Sequence, residues 1–257
     1  MIKAAFFDLD GTLLSHRTHA VPESARESLA LLTARGIRIC LCTGRHPSEL
    51  PLLPVADIRF DACVALNGHL CLDSGGRKLF GLPFPEETVR ALIAGFAGAG
   101  LPLMLVEENG RTLSFADGAA VQAHKAHAVP ASRIAAYDGR PVYQATTRAD
   151  RSRDALIRSL LPPDCLAVRW NDEGVDLILR GGEKPAGIRA VLTCEGIRPE
   201  ECIAFGDAEN DADMLRFCGV GVAMGNAPAA VKAAADYVTS DVDRDGIRNA
   251  LRHYGIL

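Results

Sequence analysis

Apolar residues fall in short unbroken runs, separated by stretches of helical spacing. Residues 2–9 read as a continuous apolar strand, 37–42 (IRICLC) as a second, and 61–68 (DACVALNG) hold a third. Between the first two, PESARESLALLTAR carries helical periodicity, with Pro22 at its start and Gly36 just past its end. Unbroken rather than alternating apolar strands, linked by helices, predict a parallel sheet covered on both faces.

The pattern then changes. Residues 69–82 read as a hairpin around Ser74, Gly75 and Gly76. From 83 to about 182 we expect a helix over 86–99, strands near 103–107 and 111–115, a strand in RPVYQATT, a helix in RSRDALIRSLL, and strands in CLAVRW and VDLILR. That mixture has the size of a second, α+β unit. After residue 183 the first pattern returns: a helix over 185–195, the strand CIAFG, the helix NDADMLRF, the strand VGVAM, a helix from Pro228 and a last helix over 246–254. The reading is an α/β protein with a Rossmann-like parallel-sheet core, residues 1–82 and 183–257, into which 83–182 are inserted.

Ligands of open parallel sheets bind at the carboxyl ends of the strands. Polar residues stand there three times, in DLDGT (8–12), CTGR (42–45) and GDAEND (206–211). An Asp-Gly turn accounts for Asp10. It leaves Asp8 unexplained, on the apolar run before Leu9. Residues two apart on an extended segment face the same way, so both carboxylates point into one region. Asp207 and Asp211 sit at another strand end. Like charges ~4 Å apart cost about 4 kcal/mol at an effective dielectric of ~20, so converging carboxylates call for a cation. Oxygen ligands without histidine or cysteine favour magnesium. By itself Thr43-Gly44-Arg45 reads as an ordinary strand-to-helix turn. At the same sheet edge it offers a hydroxyl and backbone N–H groups to a phosphate. Lys184, alone, reads as a surface lysine.

Composition narrows the classes. The chain has 257 residues, 48% hydrophobic and 23% charged, with net charge −4. Nothing in it favours nucleic acid or an anionic membrane as partner. The longest uncharged run, 91–106, contains three glycines and Pro102 and is short for a membrane span. The N-terminus enters a strand at Ile2 without a signal pattern. Eight cysteines lie inside apolar runs, without zinc spacing, and read as reduced thiols of a cytoplasmic protein.

DLDGT, the threonine of CTGR, a lysine and GDxxND, in this order and at strand ends, resemble the haloacid dehalogenase superfamily of phosphatases. The long insertion between Asn67-Gly68 and Lys184, together with VAMGNA (222–227), resembles its Cof-type branch with a large α/β cap. The motifs cover the core, whereas the insertion matches in length and element pattern. The family's usual glycine after the lysine is Pro185 here. Proline suits a first helical turn but predicts extended geometry at Lys184.

The resemblance implies a Mg2+-dependent enzyme acting on small phosphate esters as a monomer or weak homodimer. Asp8 is then the nucleophile that forms an aspartyl-phosphate, and Asp10 the acid and base of the two half-reactions. Asp8, the backbone carbonyl of Asp10 and Asp207 hold the metal, with Asp211 behind them. Thr43, Gly44, Asn210 and Lys184 hold phosphate oxygens. The cap selects the leaving group. A phosphosugar mutase would use the same nucleophile, and a phospho-aspartate sensor would need neither cap nor general acid.

Two segments imitate other sites. DVDRDGIRNALR begins like a calcium loop, but its twelfth position is Arg252 rather than glutamate, so it reads as a polar turn before the last helix. GVGVAMG lacks the dinucleotide-binding glycine spacing. His46 reads as a solvated histidine at a helix start.

Overall fold

The computed structural model describes residues 1–114, 133–170 and 172–257. The chain forms two compact units, residues 1–80 with 183–257, and residues 81–182. The first unit starts with strand β1 (Ala4–Asp8), helix α1 (Glu23–Ala34), β2 (Arg38–Cys42), β3 (Ala62–Ala65), β4 (Leu70–Asp73) and β5 (Lys78–Gly81). The inserted unit holds α2 (Glu86–Gly98), β6 (Met104–Glu107), β7 (Arg111–Leu113), β8 (Arg133–Ile134), β9 (Val142–Arg148), α3 (Asp154–Leu160), β10 (Cys165–Arg169) and β11 (Gly174–Leu179). The first unit resumes with α4 (Lys184–Glu195), β12 (Cys202–Gly206), α5 (Ala212–Phe217), β13 (Val220–Ala223), α6 (Ala229–Lys232), β14 (Tyr237–Val238) and α7 (Gly246–His253).

Among the described residues the core sheet has the order β14-β13-β12-β1-β2-β3-β4-β5. Its pairs from β14 to β3 are parallel, and β4 runs antiparallel to β3. Period-two alternation explains the unbroken apolar runs. Ala5, Phe7, Ile39, Leu41, Ile203 and Phe205 face α1 and α7, where Leu29, Leu32, Ile247 and Leu251 meet them. Ala4, Phe6, Cys40, Cys42, Cys202 and Ala204 face α4 and α5, against Ile188, Leu192, Met214 and Leu215. Phe7 and Phe205 stack with centroids 5.0 Å apart. With helices on both sides, neither face of these strands meets water, so both must be apolar.

The second face is packed tightly. A Cβ on Gly187 of α4 would lie 2.6 Å from Val64 Cγ1 and 2.8 Å from Cys71 Sγ. The cysteines act as small hydrophobes there, and all eight are free thiols. Burial pushes the Cys202 thiol up to about 12.

The inserted unit is a sheet of order β10-β11-β9-β6-β7-β8 among the described residues. Its pairs are antiparallel except β7 with β8. Val89, Leu92 and Phe96 of α2 and Ile157 of α3 pack on Leu105, Ala145, Val175 and Leu177.

Several boundaries differ from the sequence reading. The stretch expected as one helix over 210–217 opens with a 3-10 turn at Glu209–Asp211 before α5. The helix from Pro228 is only four residues long. Residues Pro47–Leu52 form a 3-10 helix that the periodicity did not announce. Among the described residues no helix is long and apolar enough to cross a membrane.

Candidate active site

The parallel register delivers three strand ends to one edge. Asp8 is the last residue of β1 and lies opposite Cys42, the last of β2. Gly206 ends β12 on the other side. The segments that follow, 9–12, 43–46 and 207–211, therefore converge.

Asp8, Asp207 and Asp211 bring one carboxylate oxygen each to within 4.8 Å of one another. Lys184 enters this group, 1% exposed, and donates from Nζ to Asp8 Oδ1 at 2.7 Å, Asp211 Oδ1 at 2.6 Å and the Cys42 carbonyl at 3.1 Å. The reading of Lys184 as a surface lysine is thus wrong. The helix also begins at Lys184 itself, with Pro185 next. Lys184 is thus helical rather than in the extended geometry that X-Pro sterics favour. That local preference yields to the tertiary contacts that hold its side chain, and Pro185 itself is tolerated in a first turn. Asp211 is fully engaged: its Oδ2 accepts the backbone N–H groups of Asp207 and Ala208, each at 2.9 Å. Thr12 donates to Asp207 Oδ1 at 2.7 Å, and Asn226 donates to Asp207 Oδ2 at 3.1 Å and to the Gly11 carbonyl at 2.9 Å. Gly11 has φ +90°, and a Cβ there would lie 2.2 Å from Asp207 Oδ2, so only glycine lets the turn pass this carboxylate.

With all three aspartates ionised, the ammonium leaves two negative charges uncompensated. Burial, then Asp211, pushes the Asp8 carboxyl well above the usual carboxylate range, and Lys184 opposes this without cancelling it. Asp207 is pushed up to about 7, first by burial and then by Asp211. Burial works against the Lys184 charge, but Asp211 and Asp8 raise the amine above its ordinary value, so it stays an ammonium. A buried, oxygen-only, doubly negative cluster fits a hard divalent cation.

Asp10 stands beside the cluster with its carboxylate on a different partner. Arg45 Nε donates to Asp10 Oδ2 at 2.7 Å and Nη2 to Oδ1 at 2.8 Å. Thr43 Oγ1 accepts the Arg45 N–H at 3.1 Å. Asn210 Nδ2 donates to Asn67 Oδ1 at 2.9 Å. A Cβ on Gly44 would lie 3.2 Å from the Asn67 amide. Leu66 and Asn67 both have positive φ, 50° and 55°, a strained pair of a kind that collects at functional sites. His46 starts the 3-10 helix as expected, but it is buried rather than solvated; its Nδ1 accepts the Ser48 N–H at 3.1 Å.

The chain matches the model of the haloacid dehalogenase-like hydrolases over residues 5–251. The chain belongs to that family. Its Cof-type motifs and relatives make it a phosphatase-family enzyme of the haloacid dehalogenase superfamily. A solved sugar phosphatase of subclass IIB, BT4131, is 33% identical, superposes with a TM-score of 0.89 and covers 99% of this chain and 100% of its own. The pyridoxal phosphate phosphatase YbhA of Escherichia coli is 29% identical over 93% of this chain and 94% of its own length. A Streptococcus pyogenes protein whose name joins a phosphatase to a peptidyl-prolyl cis-trans isomerase is 30% identical over the whole chain, which spans 54% of it.

The structure brings Asp8, Asp207, Asp211 and Lys184 together, with Asp10 and Thr43 at the same edge. Asn210 has its amide turned to Asn67. Sequence reasoning missed the clamp of Arg45 on Asp10, the hold of Thr12 and Asn226 on Asp207, and the role of Asn67. A signal existed for Arg45, which directly follows the Thr43-Gly44 turn, and for Asn226 within VAMGNA. Thr12 closes the DLDGT motif, but nothing local says that its hydroxyl holds Asp207.

Proposed function

We propose that this chain is a magnesium-dependent phosphatase of small phosphate monoesters, such as sugar or cofactor phosphates. The carrying observation is a buried carboxylate at a strand end, Asp8, held on Oδ1 by Lys184, with a second carboxylate, Asp10, two residues on and anchored separately. That is a nucleophile beside an acid–base group. A phospho-aspartate sensor has no use for the second.

Asp8 Oδ2 attacks phosphorus, and the bond from phosphorus to the ester oxygen breaks as Asp10 gives that oxygen a proton. Water then attacks the aspartyl-phosphate and loses a proton to Asp10. The bond from phosphorus to Asp8 breaks, and inorganic phosphate leaves. The carboxylates of Asp8 and Asp207 and the backbone carbonyl of Asp10 would hold Mg2+. Bound there, it would offset repulsion between the carboxylate nucleophile and the phosphate dianion. Asp211 fixes Lys184 and the turn carrying Asp207. Thr43, the Gly44 N–H, Asn210 and Lys184 hold phosphate oxygens as charge shifts.

Residues 83–182 act as the cap that selects the leaving group. Of its polar loops, 107–111 and 169–174, the second includes Asn171, which lies outside the described residues. We read the protein as cytoplasmic, in keeping with its free thiols, and as a monomer or weak homodimer.

The test is phosphate release from a panel of sugar, nucleotide and cofactor monophosphates, with Mg2+, with EDTA and with Asp8→Asn. Mg2+-dependent release that disappears in the variant supports the reading. Undiminished release by purified Asp8→Asn removes Asp8 as nucleophile. Isomerised phosphosugar with little free phosphate makes the enzyme a mutase.

A further inference from the structure

Both oxygens of the Asp10 carboxylate rest on one guanidinium, through Arg45 Nε at 2.7 Å and Nη2 at 2.8 Å. Two parallel bonds fix the plane of a carboxylate, which a point charge cannot do. The guanidinium is itself braced. Arg45 Nη1 donates to Glu49 Oε2 at 3.3 Å, and Glu49 Oε1 accepts the His46 N–H at 3.0 Å. The backbone N–H of Arg45 is tied to Thr43 Oγ1 at 3.1 Å. A chain of contacts thus runs from Asp10 through Arg45 and Glu49 to the backbone at the start of the 3-10 helix.

This bracing does little for the fold. The side chains of Asp10 and Arg45 are each 34% exposed, and ion pairs that open contribute little stability. Orientation is what the arrangement supplies. Each carboxylate oxygen offers about two acceptor positions, so an oxygen held by Arg45 keeps one with which to carry a proton.

We infer that Arg45 is a positioning residue for proton transfer: it aims the Asp10 carboxylate at the leaving-group oxygen, and Glu49 fixes Arg45 in turn. The inference rests on the phosphatase reading above. In the first half-reaction the proton moves from Asp10 to the departing oxygen while the phosphorus–oxygen bond breaks. A misaimed Asp10 harms that step only where the leaving group needs the proton. Phenolate needs it more than p-nitrophenolate, and the two esters have nearly the same shape, so differences in substrate recognition largely cancel.

The experiment compares kcat/KM for phenyl phosphate and p-nitrophenyl phosphate in wild type, Arg45→Met, Arg45→Lys and Glu49→Gln, with thermal melts to check folding. kcat/KM covers steps only through departure of the phenol, so it is blind to the second use of Asp10. In Arg45→Met we expect phenyl phosphate to lose about 100-fold and p-nitrophenyl phosphate about 10-fold or less, within the range of general acid catalysis. Arg45→Lys, which keeps the charge without the fork, should shift the ratio of the two the same way. Glu49→Gln should do so more weakly, and it keeps the test alive if Arg45→Met fails to fold. Equal losses on both esters, or none, would overturn the inference while leaving the phosphatase reading intact. A wild type that hydrolyses no phosphate ester removes the phosphatase reading and this inference together.

Discussion

Lys184→Met tests whether the acidic cluster depends on a single cation. Methionine nearly fills the volume of the lysine stem, so the change removes charge with little loss of packing. The ammonium lies 2.7 Å from Asp8 and 2.6 Å from Asp211, and its side chain is 1% exposed. At an effective dielectric of ~20, each contact corresponds to about 6 kcal/mol of attraction, offset by several kcal/mol for stripping water from a buried ammonium. Breaking a buried pair leaves uncompensated charge and costs about 3–5 kcal/mol, the loss we expect at pH 7.5 in EDTA. The sign with pH follows from the partners. Lys184 holds the Asp8 carboxyl down against burial; without it Asp8 takes up a proton more readily, so the deficit shrinks toward pH 5. Mg2+ should also shrink it. Urea denaturation monitored by circular dichroism, at both pH values and with and without Mg2+, measures all three effects. A deficit below about 1 kcal/mol in EDTA at pH 7.5, where a buried pair should dominate, would refute the reasoning.

Gly11→Ala places a methyl group 2.2 Å from Asp207 Oδ2 on a backbone of φ +90°; we expect about 1–3 kcal/mol of destabilisation, with weaker Mg2+ binding by isothermal titration. Unchanged Mg2+ affinity would show that Asp207 is not held by this turn. Asp207 supplies the pH dependence. Its carboxyl is raised to about 7 from an ordinary 3.8, so the folded state keeps a proton that the unfolded chain has released. Its contribution is therefore complete below about pH 4 and is lost as pH rises toward 7. At about 1.4 kcal/mol per pH unit, the loss in metal-free protein is at most about 4 kcal/mol, read from thermal melts between pH 4 and 8. Adding Mg2+ should restore stability at pH 7.5 and do far less at pH 5; equal metal effects at both would contradict the shift.

Much of this was legible in the chain. Unbroken apolar runs such as AAFFD and IRICLC mean that both strand faces are buried, and Phe6 and Phe7 do enter opposite cores. The return of that pattern after residue 183 shows where the insertion ends. Short or polar elements were less legible. β14 has two residues, too few to show a period. A helix start was legible at His46, but Pro51 inside Pro47–Leu52 leaves no helical period by which to read the element's length or its 3-10 form.

The sequence by itself determined the chemistry available at the edge. The apolar run that ends at Asp8 sets both aspartates at a strand end, but the strand stops at Asp8 and Asp10 lies in the turn beyond it, so strand alternation does not fix where Asp10 points. Only the tertiary structure decided which charges meet. Lys184 pairs with Asp8 across 176 positions and Thr12 with Asp207 across 195, separations over which no local pattern carries information. The division of labour between the two aspartates is likewise tertiary. Asp8 is buried against an ammonium, while Asp10 remains partly open on the fork of Arg45. Two carboxylates two residues apart, equivalent in sequence, differ because parallel strands bring different partners and different amounts of water to each.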